Sequence, residues 1–417
     1  MRIAIVTENF LPKVDGVTNT LKKLLEHLQE TGHEVLLLGP ESGMMAFAGA
    51  ELVGTVGIPF LPYPELKLNL WRPRFTRKLL EFDPQVIHLV EPVWLGAAAL
   101  AICKFYLPNV PLVSSYHTNL ATYCTHFGWG FFSPLMWQWN RFCHSFCRRT
   151  VCPSRSTSQM LRHKGFDNLS LWPRGIDAGM FSPAKRSHAL RARWLGSEAE
   201  AAKKKIILYV GRISFEKNIE LVLDAYRQMD YENACHLVIV GHGPAFDEIQ
   251  SECARVNLPV TFTGYLRGIQ LASAYASADI FAFPSVTETF GQVVLEAMAS
   301  GLPVAGIQAE GVCDLVIDQQ TGLLLDIAGL SRGQQIERYA AHLNMLVNSA
   351  EERLRMSHCA RETAKGYTWW EAMECMVRTY KAAATAANTV NVEGDCDSGV
   401  EEDFETEGED CKTKSTC

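Results

Sequence analysis

Arg212 and Lys217 stand five positions apart in YVGRISFEKN, where an apolar run ends in Gly211. Arginine presents a planar fork of N–H donors that suits phosphate oxygens, and lysine a compact positive charge. At a strand end and a helix entry the pair could stabilise a departing diphosphate. The same two cations could equally flank a loop in water. A second stretch, TETFGQVVLEAMASG, covers residues 287–301. There Glu288 precedes Phe290 and Gly291, and the spacing predicts a helix that carries Glu296 about one turn in. Gly291 lets backbone come close to a ligand. The helix start behind it offers unpaired N–H groups and a positive dipole end to a phosphate. Glu296 suits a ribose diol, and Glu288, in the loop, suits sugar hydroxyls.

Two carboxylates could instead suggest a glycosidase, whose acids stand ~5–9.5 Å apart. Eight residues of pure helix would separate them by ~12 Å. The segment is not wholly helical, so the spacing argues only mildly against hydrolysis. His117, in SSYHTN, falls at the end of an apolar run, where it could bond a substrate hydroxyl or stabilise developing charge. A lone histidine is more often structural. Gly16, in Asp15-Gly16-Val17, could let a ligand approach a helix start, though a glycine there is also ordinary turn chemistry. Gly175-Ile176-Asp177 is a further candidate cleft turn. The one Asp-x-Asp pair, Asp395-Cys396-Asp397, falls in an acidic tail, so no metal site is expected. Leaving-group charge then falls to Arg212, Lys217 and the helix start.

These residues need elements to hold them. Residues 2–8 read as a strand, 17–32 as a helix stopping at Gly32, and 33–40 as a strand. Strands follow at 85–92 and 111–118. Residues 173–205, with Pro173, Gly175, Pro183 and a Lys- and Ala-rich run, read as a loose linker. The alternation then restarts, with strands at 205–212, 236–244, 260–265 and 279–285 and a helix from Asn218. Strands alternating with helices imply parallel sheets with right-handed crossovers. The expected fold class is α/β, with two Rossmann-like domains facing a cleft. The expected divisions are 1–180, 181–366, a helical segment at 367–387 that could pack back on the first domain, and a tail at 388–417. Ligands of such sheets bind at the carboxyl ends of strands, where the polar residues above lie.

Length supports two domains, and apolar residues at 47% support full cores. The net charge of −7 is uneven. Residues 390–417 hold ten acidic residues against two lysines and read as disordered, while residues 1–389 hold 37 basic and 36 acidic ones. A near-neutral body gives no reason to expect nucleic acid as a partner. Between Glu91 and Asp167 there is no acidic residue, but seven lysines and arginines and the aromatic run FGWGFFSPLMWQWNRF at 127–142. Basic charge beside exposed rings suits an anionic membrane surface. The alternative places the rings in the core and the arginines on a solvated face. The 13 cysteines complete no zinc pattern. With no leader or spanning segment in view, they read as reduced thiols in a cytoplasmic protein, peripheral on a membrane at most.

Taken together, the motifs resemble glycosyltransferase family 4, a family of GT-B fold. Glu288-x7-Glu296 followed by Ala-Met-Ala-Ser-Gly is similar to the family signature, GRISFEKN to its phosphate-binding segment, and RGIDAGMFSP (174–183) to its interdomain segment. The resemblance spans roughly residues 1–385. Within the family, SYHTNLATYC and the stretch PLMWQWNRFCHSFCRRTVCPS look like the sulfoquinovosyltransferases that glycosylate diacylglycerol. They are also similar to bacterial lipid mannosyltransferases that use GDP-mannose. The resemblance implies that Arg212 and Lys217 bind the donor diphosphate, Glu296 the ribose and Glu288 the transferred sugar. It implies backbone contacts from Phe290 and Gly291, a contact from His117 near the reacting carbon, and an open loop at Gly16. It further implies transfer with retained anomeric configuration, no metal and no cofactor beyond a UDP- or GDP-sugar, and a lipid acceptor such as diacylglycerol.

Three rivals differ in chemistry. A nucleotide-sugar epimerase needs no acceptor surface, which the basic aromatic span disfavours. A non-catalytic scaffold need not keep Arg212, Lys217, Glu288 and Glu296. A Rossmann dehydrogenase needs G-x-G-x-x-G after the first strand, where ENFLPKVDG stands.

Overall fold

The computed structural model describes residues 1–13, 15–60, 63–121 and 130–390. The acidic run beyond Val390, Asp395-Cys396-Asp397 within it, and the part of the aromatic run that holds Phe127 and Trp129 lie outside the described residues.

Ten strands belong to the first half: β1 Arg2–Thr7, β2 Glu34–Pro40, β3 Ala46–Phe47, β4 Ala50–Thr55, β5 Gly57–Phe60, β6 Tyr63–Asn69, β7 Val86–Val90, β8 Leu112–Ser115, β9 Arg149–Cys152 and β10 Leu169–Leu171. Six more follow: β11 Lys205–Val210, β12 Cys235–Val240, β13 Val260–Gly264, β14 Ile280–Phe283, β15 Val304–Ile307 and β16 Gly322–Leu325. Among the described residues they form an eight-stranded sheet in the order β10-β9-β8-β7-β1-β2-β4-β3 and a six-stranded sheet in the order β13-β12-β11-β14-β15-β16, with β5 and β6 paired apart. All pairings in the two large sheets are parallel except β3 with β4.

The central strands β1, β2, β7, β11, β14 and β15 are almost wholly buried, as parallel strands covered by helices on both faces are. In β1, Ile3 and Ile5 enter one core and Ala4 and Val6 the other, as alternation along a strand requires. In β11, Ile207 and Tyr209 face one core and Ile206, Leu208 and Val210 the opposite one. Helix Gly16–Glu30 buries Leu21, Leu24, Leu25 and Leu28, the face that 3.6-residue periodicity predicts. The Asp15 carboxylate caps its start, accepting from the Thr18 N–H at 2.8 Å.

Each sheet reverses its winding once. In the first, β2 lies on one side of β1 and β7 on the other; in the second, β12 and β14 flank β11 in the same way. These reversals open a crevice at the carboxyl ends of the neighbouring strands. Gly211 and Arg212 follow β11 directly. Glu288 lies beyond β14, and His117 two residues past β8.

Residues 188–203 correct the expectation of a loose linker. They form helices His188–Leu195 and Glu198–Lys203, capped by the hydroxyls of Ser187 and Ser197. Arg191 is buried there, paired with Asp279 at 2.8 Å and donating to the carbonyls of Ser277, Ala201 and Lys204. Short capped helices tethered by one buried arginine leave little periodicity to read. The last helix, Trp369–Val390, ends three residues later than the segment expected to close at 387. It buries Met373, Met376, Tyr380 and Ala383 in the core shared by Ile3, Leu21 and Leu24. The chain therefore passes between the two sheets twice, and the passages touch: the Ile176 N–H donates to the Tyr367 carbonyl at 2.9 Å. A Cβ on Gly175 would stand 2.2 Å from the Trp369 nitrogen, so only glycine permits that approach.

Candidate functional site

The reversal between β11 and β14 holds a cavity of about 210 Å³, lined by Tyr209, Gly211, Arg212, Lys217, Phe283, Glu288, Gln292 and Val293. It brings together Arg212, Lys217 and Glu288. The Lys217 ammonium donates to a Glu288 carboxylate oxygen at 2.6 Å and to the Thr287 hydroxyl at 3.2 Å. Ser285 donates to the same glutamate oxygen at 3.1 Å. The Tyr209 phenol donates to the Arg212 carbonyl at 3.0 Å and so braces the loop. Close backbone packing also supports this loop. A Cβ on Gly241 would fall 1.9 Å from the Gly211 carbonyl oxygen, and one on Gly243 2.3 Å from that of Ile213. These two glycines were not singled out from the sequence. Two glycines in GHGP directly after a strand were the available signal.

Gly291 adopts φ +89°, a left-handed conformation open to glycine, and caps helix Gln292–Ala299. The helix start faces the cavity through Gln292 and Val293. Glu296 is four residues beyond Gln292, hence on the same helix face. Its carboxylate accepts from the buried Tyr275 phenol at 3.0 Å. Burial pushes the Glu296 carboxyl up to about 7, against the lowering effect of that bond. The Phe290 side chain belongs to the core and packs edge-on to Tyr367 at 6.4 Å.

The facing edge belongs to the first sheet. His117 is buried, and both its ring nitrogens have partners: Nε2 with the Ser115 hydroxyl at 2.9 Å and Nδ1 with the Arg174 guanidinium at 2.6 Å. Burial first, and then Arg174, hold its pKa well below the ordinary histidine value. Its carbonyl accepts from the Thr289 hydroxyl at 2.8 Å, which ties it to the loop that carries Glu288. Gly16 is exposed at the start of its helix, and a Cβ there would meet nothing within 4 Å. The described residues do not place it on the cavity wall.

Two acids flank this edge. The Glu91 carboxyl, buried after β7 with φ +50°, is pushed up to about 7 by burial. Glu8, after β1, is also raised by burial and accepts from the N–H groups of Trp94 and Leu95.

The two halves are joined around the N-terminus of helix Arg155–His163. Thr157 donates to Glu310 at 2.6 Å, and the Ser156 N–H and hydroxyl bond Asp314. Gln292 donates to the Gly175 carbonyl at 3.1 Å, linking the cavity wall to the interdomain passage.

The basic aromatic span is divided between surface and core. Phe131 and Leu135 are 74% and 60% exposed, and Trp94, Phe105, Trp139, Phe142 and Phe146 are also exposed. Trp139 and Phe142 stack at 6.0 Å, and the Lys104 ammonium lies 5.6 Å from the Phe146 ring. Core is thus the wrong reading for most of these rings. Trp139, Phe142 and Phe146 also touch one another in series, so the exposed rings are clustered rather than scattered. Among the described residues, no helix is long and apolar enough to cross a membrane.

Comparison with known proteins extends this geometry. Residues 14–179 match the description Glycosyltransferase Family 4, and residues 191–363 match Glycosyl transferases group 1. The GDP-mannose-dependent alpha-mannosyltransferase of Mycolicibacterium smegmatis is 36% identical over 388 residues, covering 92% of this chain and 97% of its own. The sulfoquinovosyl transferase SQD2 of Arabidopsis thaliana is 33% identical, covering 88% of this chain and 71% of its own. Among solved structures, sucrose-phosphate synthase from Thermosynechococcus elongatus superposes with a TM-score of 0.75 at 20% identity, over 92% of this chain and 99% of its own. Anabaena Alr3699/HepE in complex with UDP and glucose does so with 0.69 at 19%, over 91% and 99%.

Proposed function

The chain belongs to glycosyltransferase family 4 and has the GT-B fold of two Rossmann-like domains, and on that premise we propose that it moves a hexose from a nucleoside-diphosphate sugar to a hydroxyl of a diacylglycerol-type lipid. The observation that carries this reading is the Lys217–Glu288 pair in the cavity behind β11 and β14. A diphosphate entering there takes over the lysine's charge and frees the glutamate to accept sugar hydroxyls. Arg212 and the start of helix Gln292–Ala299 add donors toward the phosphates, with backbone from Gly291 and Phe290. Glu296, ionised, accepts from a ribose diol.

Transfer proceeds with retained configuration. The bond between the anomeric carbon and the donor phosphate oxygen breaks, the acceptor oxygen bonds that carbon on the same face, and the acceptor proton passes to the departing phosphate. The protein supplies position and preorganised charge. No metal ion and no cofactor are called on. The exposed rings of residues 131–146, with Lys104 beside the Phe146 ring and Arg148 and Arg149 close in sequence, hold the enzyme on an anionic lipid surface where its acceptor resides.

Two donors are in contention. The 33% identity to the sulfoquinovosyl transferase SQD2, over 88% of this chain, supports UDP-sulfoquinovose, while the stretch from Ser115 through Ser154 resembles users of either donor. The 35% and 36% identities to two GDP-mannose-dependent relatives, over 88% and 92% of this chain, favour GDP-mannose. Thermal unfolding with UDP, GDP or ADP separates them, since a ligand at ~100 times its dissociation constant adds ~2.7 kcal/mol. A UDP-selective rise supports the first donor and a GDP-selective rise the second. No rise with any nucleotide overturns the donor site.

A further inference from the structure

A buried chain of hydrogen bonds runs from the last helix to the cleft. The Tyr380 phenol meets His88 Nδ1 at 2.7 Å, and His88 Nε2 meets the Ser115 hydroxyl at 2.8 Å. The same hydroxyl meets His117 Nε2 at 2.9 Å, and His117 Nδ1 meets Arg174 at 2.6 Å. Every side chain in it is at least nine-tenths buried. Trp172 walls it, edge-on to both imidazoles and 4.7 Å from the guanidinium carbon.

Proton positions follow from donor counting. A guanidinium has donors only, so His117 Nδ1 must present its lone pair to Arg174. The neutral ring then carries its hydrogen on Nε2 and gives it to Ser115. His88 stands between Ser115 and Tyr380, and a phenol can give or take a proton, so Tyr380 closes the chain whichever nitrogen of His88 is protonated. His117 consequently has no ring nitrogen to spare for a substrate. Its carbonyl is bonded to Thr289 of the loop that carries Glu288, and the guanidinium that its ring holds also donates to the Trp172 carbonyl.

We infer that Tyr380 is a positioning residue for transfer: through His88 and Ser115 it holds the ring and the proton of His117, and through His117 the Arg174 side chain. The inference rests on the placement of His117 at the reacting cleft. It deepens that placement by giving the last helix a part in it.

The test is full-length protein labelled with 15N-histidine, with His88 and His117 assigned through His88→Gln and His117→Gln. In the parent, His117 is expected neutral with hydrogen on Nε2 from about pH 5.5 to 8. Tyr380→Phe and Ser115→Ala are expected to shift the His117 ring signals and to lower kcat about tenfold, with donor KM within about twofold. Should Tyr380→Phe not fold, Ser115→Ala carries the same test. Hydrogen on Nδ1, or His117 signals unmoved by both variants, overturns the chain. Shifted signals with kcat unchanged overturn its part in transfer. Full transfer by His117→Ala instead overturns the placement of His117 at the cleft, whatever the spectra show.

Discussion

At the edge of the second sheet, a lysine and a glutamate face each other at 2.6 Å in a cavity, each still partly exposed. At the facing edge of the first sheet, two imidazoles, a serine and a phenol are sealed from water, with both imidazole pKa values pushed down by burial. The winding is the same, but the electrostatics differ: the first edge buries a single guanidinium, Arg174, against neutral groups, while the second pairs a cation with a carboxylate. Charge is retained where an opposite charge offsets its desolvation and a diphosphate can later replace that partner. It is suppressed where burial leaves neutral groups cheaper than ions.

The widest gap between the two edges should appear in Lys217→Ala. Removing one preorganised donor from a developing oxyanion costs ~10²–10³-fold in kcat. Transfer is expected to fall by that much while the melting temperature changes little, since the ammonium's bonds to Glu288 and Thr287 lie at a partly exposed cavity wall. An unchanged kcat would break the comparison, because the charge at this edge would then be structural.

A smaller effect tests Glu296. An acid lifted to about 7 is mainly protonated at pH 6 and mainly ionised at pH 8, and only the ionised form accepts two ribose hydroxyls. Nucleotide affinity should therefore rise with pH, roughly tenfold between about pH 6 and 8. Glu296→Gln should flatten that rise. Calorimetry with the nucleotide alone reads this edge specifically, because Glu91, also lifted to about 7, belongs to the other sheet.

The smallest change is expected from Gly16→Ala. No protein atom lies within 4 Å of the added carbon, so stability should hold within about 0.5 kcal/mol. A severalfold rise in donor or acceptor KM would show that a ligand approaches the open helix start. Unchanged kinetics would assign the glycine to the turn alone.

Legibility followed the range of the interactions. Leu21, Leu24, Leu25 and Leu28 announce their helix because periodicity is local. The candidates around Arg212 and Glu288 were visible because a strand ending in Gly-Arg and a Gly before a helix are local patterns too. Four strands between Ala46 and Asn69 escaped notice, β3 and β5 because they are brief and β4 and β6 because charged residues interrupt their apolar runs, and the helices at 188–203 are too brief for periodicity to show. Arg174 and His88 escaped for another reason. Each is unremarkable among its neighbours in sequence, and becomes notable only through His117, Ser115 and Tyr380.

The sequence by itself determined that two βα repeats exist and that cations and carboxylates stand at strand ends, since both depend on a few consecutive residues. Tertiary structure decided the pairings. Lys217 reaches Glu288 across 71 positions because β11 and β14 are neighbours in the sheet, a consequence of strand order. His88 meets Tyr380 across 292 positions because the last helix returns to the first core, where Met373 and Met376 bury more apolar surface than they could alone. Such contacts are chosen by the packing of whole elements, which no local pattern encodes.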